Sequence, residues 1–136
     1  MLFPPESFLD VARTISTQKA LAGEGRHRTV TSRAYYGAYW ATCVAICKNQ
    51  KISPFVNFGH AAITQRLAGT KGDDEMREFG TVLDSLRQSR VSADYNLYKP
   101  MDEPMADSAL EDAAKVLELL PKVSARLPKF DPPPRT

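Results

Sequence analysis

The chain has 136 residues, of which 43% are hydrophobic and 25% charged, and its formal net charge is +2. Such a chain is expected to form one domain with its own core, and the modest charge excludes a general electrostatic attraction to nucleic acid. No apolar run approaches the ~20 residues that span a bilayer, and residues 1–6 lack the basic flank and apolar stretch of a secretory signal. A cytoplasmic protein without membrane association is expected.

Residues 1–5 read as an irregular lead-in stopped by Pro4 and Pro5. From Glu6 the spacing of Phe8, Val11, Ala12, Ile15 and Lys19, with Leu9 alongside, predicts a first helix that ends at Gly23-Glu24-Gly25. The stretch 29–48 predicts the central helix. It carries three of the five tyrosines, the only tryptophan and both cysteines. At helical spacing Tyr36, Trp40, Cys43 and Cys47 share one stripe, Tyr35, Tyr39 and Ile46 lie beside it, and alanines and valine cover much of the rest. A helix apolar over most of its circumference belongs at the centre of a bundle. Thr29, Thr31 or Ser32 would cap its start.

Asn49 to Pro54 reads as a connection. A third, shorter helix is predicted to have Phe55 or Phe58 near its start, to run through Ala62, Ile63 and Leu67, and to close at Gly69 to Gly72. Asp73-Asp74-Glu75 supplies an acidic start to a fourth helix with Met76, Phe79, Leu83 and Leu86 on its inner stripe, Val82 flanking and Ala93 further along. Gly80 within it lowers intrinsic helix stability by about 1 kcal/mol relative to alanine and allows close helix contact. Pro100 and Pro104 bracket an irregular segment. Ser108-Ala-Leu-Glu111 then reads as the capping box of a fifth helix with Leu110, Ala113, Leu117, Leu120 and Leu127 inward, and Pro121 kinking or ending it. The expectation is an all-α bundle of four to five helices over residues 1–127, followed by a proline-rich tail, 128–136, that is mostly disordered.

Few positions suggest chemistry. Arg26-His27-Arg28 is the densest local candidate for a phosphate, or simply a solvated loop. Arg87, Arg90 and Asp94 stand at i, i+3 and i+7, so Asp94 either knits the bundle with Arg90 or holds that arginine ready for a phosphate. His60 is a candidate acid or base, or a polar side chain at a helix end. Cys43 and Cys47, four apart on one helix, suit neither a disulfide nor a metal site and read as small buried apolar residues. No phosphate loop, nucleophile elbow or zinc pattern appears, and no cofactor is expected.

Three segments together resemble the HEPN superfamily of small helical proteins. Ser32-Arg33-Ala34-Tyr35-Tyr36-Gly37-Ala38-Tyr39-Trp40-Ala41 is similar to that family's Ser-Arg-x-Tyr-Tyr-Ala-x-aromatic helix. Phe58-Gly59-His60-Ala61-Ala62-Ile63 resembles the histidine that opens the next helix in many members, and Arg90-Val-Ser-Ala-Asp94-Tyr95 resembles their Arg-x-x-Ala-Asp-Tyr segment. The resemblance covers about residues 6–120. It implies an antiparallel bundle that pairs with a second copy, in a toxin–antitoxin or defence setting, often beside a nucleotidyltransferase or antitoxin partner. Active members are metal-independent ribonucleases whose Arg-x(4–6)-His motif assists attack of an RNA 2′-hydroxyl on the adjacent phosphate; others serve as binding or assembly modules. Here no histidine follows Arg87 or Arg90. The resemblance therefore implies a non-catalytic or weakly active binding module. The alternative is a divergent ribonuclease, with Arg90 on the phosphate, Asp94, Tyr95 and His60 completing the site, and Arg26, Arg28, Arg33 and Arg87 along the nucleic acid.

Overall fold

The computed structural model describes residues 4–21, 23–52 and 56–132. It contains five α-helices and one short 3₁₀ turn, and no strand among the described residues: α1 (Ser7–Ser16), α2 (Gly23–Gln50), α3 (His60–Ala68), α4 (Asp74–Tyr95) and α5 (Glu103–Val123). No helix among those residues is long and apolar enough to cross a membrane.

The central helix is longer than the sequence suggests. α2 spans 28 residues and begins at Gly23, so Gly23-Glu24-Gly25 opens it and does not close α1. Arg26, His27 and Arg28 consequently belong to a helix, not to a solvated loop. α1 stops at Ser16, where the hydroxyls of Thr14, Ser16 and Thr17 each donate to a carbonyl three or four residues back and compete with the helical ladder. Its buried side chains are Leu9 and Ala12, whereas Val11 is exposed and Lys19 lies beyond the helix. At the far end of α2, Lys51 adopts a φ of 56° and the Ile52 N–H returns to the Cys47 carbonyl, a left-handed helix stop.

α2 is apolar on nearly every side because it packs against α1, α4 and α5. Tyr35, Tyr39, Ala34, Ala38, Cys43 and Ile46 are all buried there. Direction follows from the cross-links: Arg28 near the start of α2 reaches the Ser92 and Ala93 carbonyls at the end of α4, so these two helices run antiparallel. Gly37 lets α1 approach α2 closely, since a Cβ there would stand 3.2 Å from the Leu9 backbone nitrogen.

α4 follows its predicted pattern. Asp73 accepts from the Met76 N–H as the cap, and Met76, Phe79, Leu83, Leu86 and Ala93 are buried. α3 packs onto it and starts at His60, after Gly59 with its φ of 97°. Phe58 is buried just ahead of it, and Phe55 lies outside the described residues. α5 begins five residues before Ser108. Asp102 caps the Met105 N–H and Pro104 sits in the first turn, where no ladder donor is lost. The inward stripe is Ala106, Ala109, Ala113, Val116, Leu119 and Val123; Ala113 and Leu127 are buried as expected, whereas Leu110, Leu117 and Leu120 lie one position round and are half-buried. Pro121 ends nothing abruptly; the helix runs to Val123 and tightens into a 3₁₀ turn over Ser124–Arg126.

The segment after that turn is docked. Phe130 is buried against Phe58, lies under the Arg66 guanidinium and exchanges two hydrogen bonds with the Gln50 side chain. The expectation of disorder therefore gives way over residues 128–132, and the rest of that tail falls outside the described residues.

Candidate functional site

The sequence patterns of α2, α3 and α4 converge on one group of side chains. Arg90 projects from α4 into the seam with α2 and is only 7% exposed. Its guanidinium lies 5.2 Å from the Tyr35 ring centroid, 5.5 Å from Tyr36 and 5.9 Å from Tyr95. Each ring offers the negative face of its quadrupole to the cation. One turn on, the Asp94 carboxylate stands 3.6 Å from Arg90 Nη1 and also accepts from the Ser32 hydroxyl at 3.3 Å. Arg90 Nε is buried with no hydrogen-bond partner.

His60 meets the same tyrosine from the other side. Tyr35 Oη and His60 Nδ1 are 2.6 Å apart, and the imidazole lies 4.1 Å from the Tyr39 ring centroid. Asn57 sets this corner: its Oδ1 accepts from Tyr39 Oη at 2.6 Å and from the Gly59 N–H at 3.0 Å. Burial pushes the Tyr35 and Tyr39 hydroxyls well above the usual phenol range. Burial, then the Arg90 and Arg87 guanidiniums, holds the His60 imidazole below its ordinary value. A protonated phenol thus faces a neutral imidazole, and the direction of their one hydrogen bond follows the imidazole tautomer. Burial likewise pushes the Cys43 thiol up to about 12; both cysteines are buried and free.

The structure thus brings Arg90 and His60 together on Tyr35, with Asp94 and Tyr95 beside Arg90 and Tyr95 on the outside at 73% exposure. The other arginines go separate ways. Arg87 pairs with Asp84 at 3.1 Å. Burial raises that carboxyl, but hydrogen bonds from Thr64, Gln88 and Arg87 outweigh it and leave Asp84 below its ordinary range. Arg26 is buried and donates to the Gln18 carbonyl. Arg28 caps α4: it donates to the carbonyls of Ser92, Ala93, Asn96 and Lys99 and to Glu24 Oε1. Arg33 is half-buried, stacked between Phe8 and Tyr36. Asn57, and Tyr35 as the hinge between Arg90 and His60, escaped the sequence reading; an Asn two residues before a Gly-His helix start was the available signal.

A pH dependence follows from His60. The groups facing it are the rings of Tyr35, Tyr36, Tyr39 and Trp40 and the two guanidiniums of Arg87 and Arg90. Folding lowers its pKa, so between the folded value and the ordinary ~6.5 the unfolded chain binds more protons. Its contribution to stability is complete above about pH 6.5 and declines as the pH falls below that. Urea midpoints measured from about pH 7.5 to about 5.5, above the ordinary carboxylate range, should decline in wild type and flatten in His60→Gln. A wild-type profile already flat in that window would refute this account of the imidazole.

No protein-family model, no curated protein and no solved structure matches this chain.

Proposed function

We propose that the chain is a HEPN-like helical module that binds or assembles without efficient catalysis, as a dimer or with a partner protein, in a toxin–antitoxin or defence setting. The observation that carries this reading is the burial of Arg90. Its faces are taken by tyrosines, one terminal nitrogen lies beside Asp94, and little of it reaches solvent. An arginine that grips a phosphate needs its planar fork open to the ligand, and here tyrosine rings cover its faces and burial restricts access to it. The missing Arg-x(4–6)-His pattern supports the same conclusion.

A second reading is a divergent metal-independent ribonuclease. The observation in its favour is that His60 and Arg90 contact the same Tyr35. The test is RNA cleavage by purified protein in EDTA, wild type beside His60→Ala and Arg90→Met. Absence of cleavage by folded protein is the result expected. Cleavage lost in both variants would replace the binding reading with the ribonuclease.

A further inference from the structure

The turn after α4 holds apolar side chains in water on a backbone that is tied down. Leu97 is 76% exposed and Tyr98 99% exposed, with Val91 and Tyr95 also exposed on the last turns of the helix. A mobile loop would allow such side chains to fold back. This one is fixed by Arg28, whose guanidinium bridges the Asn96 and Lys99 carbonyls on either side of Leu97 and Tyr98. The same arginine joins that turn to the Ser92 and Ala93 carbonyls and to Glu24, and Glu24 in turn accepts the Met101 N–H. A backbone already held in place spares that part of the ordering cost when a partner covers the apolar side chains it carries.

Charge says what kind of partner. Among the described residues Arg33 is the one arginine with neither a hydrogen bond nor an ion pair. Phe8 and Tyr36 stack on it, 5.8 Å and 5.4 Å from its guanidinium, which orients the group and leaves its donor edge unoccupied. It opens onto a cleft of about 240 Å³ that Arg28, Ser32, Ala93 and Asp94 also line, beside the displayed turn. Tyr36 stands against both Arg33 and Arg90, and Arg90 against Tyr95, so a chain of ring contacts runs from the cation to the last turn of α4.

We infer that this face, Arg33 with Val91, Tyr95, Leu97 and Tyr98, docks a segment of a partner protein in which a carboxylate is flanked by apolar side chains. The inference rests on the binding-module reading and names its partner by chemistry. A phosphodiester chain fits less well. It needs repeated neutralisation along its length, whereas the cleft has one unoccupied guanidinium beside the carboxylate of Asp94, and aliphatic Val91 and Leu97 offer a nucleic acid nothing. Tyrosine and arginine around an apolar centre are instead the residues on which protein interfaces concentrate their affinity.

The test is selection from a random-peptide display library on the purified protein. Peptides carrying Asp or Glu between large apolar residues should be enriched. Their affinity should fall at least about tenfold in Arg33→Ala and in Tyr98→Ser, with the fold of each variant checked by its urea midpoint. Arg33→Glu should turn the preference to basic peptides. Selected peptides that bind Arg33→Glu equally well would overturn this assignment while leaving a binding module elsewhere on the surface. Tight binding of a random single-stranded oligonucleotide with a steep salt dependence would assign the face to nucleic acid. A dimer dispersed by Tyr98→Ser would assign it to a second copy. RNA cleavage in EDTA, by contrast, would remove the underlying reading.

Discussion

Gly80→Ala should lower the stability of the fold by about 3 kcal/mol and its melting temperature by about 10 °C. A methyl group on Gly80 would stand 2.1 Å from the Leu67 carbonyl carbon, 2.3 Å from the Ala68 nitrogen and 2.6 Å from Leu67 Cβ. The first two are backbone atoms and cannot rotate away. α3 and α4 would have to separate, and Leu67, Phe79 and Leu83, all buried at that seam, would lose packing. The intrinsic gain of alanine over glycine in a helix, about 1 kcal/mol, opposes the loss and is the smaller effect. Gly25→Ala is the control: it lies in the first turns of α2 with nothing within 4 Å of the added methyl, so it should be neutral or slightly stabilising. Urea unfolding of the two variants separates steric contact from chain entropy. A Gly80→Ala midpoint within the error of wild type would mean that α3 and α4 do not need their close approach.

That contact also governs how much of the site could be read in advance. α4 was legible because cap and period agree: Asp73 precedes Met76, Phe79, Leu83 and Leu86 at helical spacing, and the helix forms where they indicate. Only the start of α5 is hidden in the sequence, because the Ser108–Glu111 pair and Pro104 both look like boundary signals. Asp102 with Pro104 in the first turn is an equally good start, and it wins because Ala106 and Ala109 then reach the core. Gly23 and Gly25 look like a stop because glycine commonly ends helices, yet the first turn of a helix tolerates it as well, and here they open α2. Phe130 was hidden by its prolines; one aromatic ring and the Gln50 amide hold that segment down.

The site divides along the same line. Arg90 and Asp94 are four residues apart on one helix, so their pairing is local and readable. The meeting of His60 with Tyr35 is not local. It depends on how α3 seats on α4, which a backbone approach at Gly80 decides. Arg28 is further still from legibility, because its carbonyl partners lie 64 to 71 residues along the chain and backbone carbonyls carry no sequence signature.

Arg90→Ala should lower stability by about 3 kcal/mol, and Arg90→Met by about 1 kcal/mol or less. Alanine empties a buried volume between Tyr35 and Tyr36 and strips Asp94 of its cation, leaving it only the Ser32 hydroxyl. Methionine fills most of that volume. It forfeits the cation–π attraction, which is worth about 2 kcal/mol for a desolvated cation, but it also removes the guanidinium whose Nε is buried without a partner. Losing the attraction while relieving that desolvation leaves a small net cost, as when buried ion pairs are exchanged for well-packed apolar groups. Asp94 itself is exposed and can be hydrated once its partner is gone. Equal losses in the two variants would show that charge, not packing, makes Arg90 a core residue. The distinction decides how any loss of function at this position is interpreted. An Arg90→Ala protein that neither binds nor cleaves has lost part of its core, and its failure says nothing about phosphate. An Arg90→Met protein that keeps its fold and loses an activity would be the informative one, because only the cation has been removed from between the tyrosines.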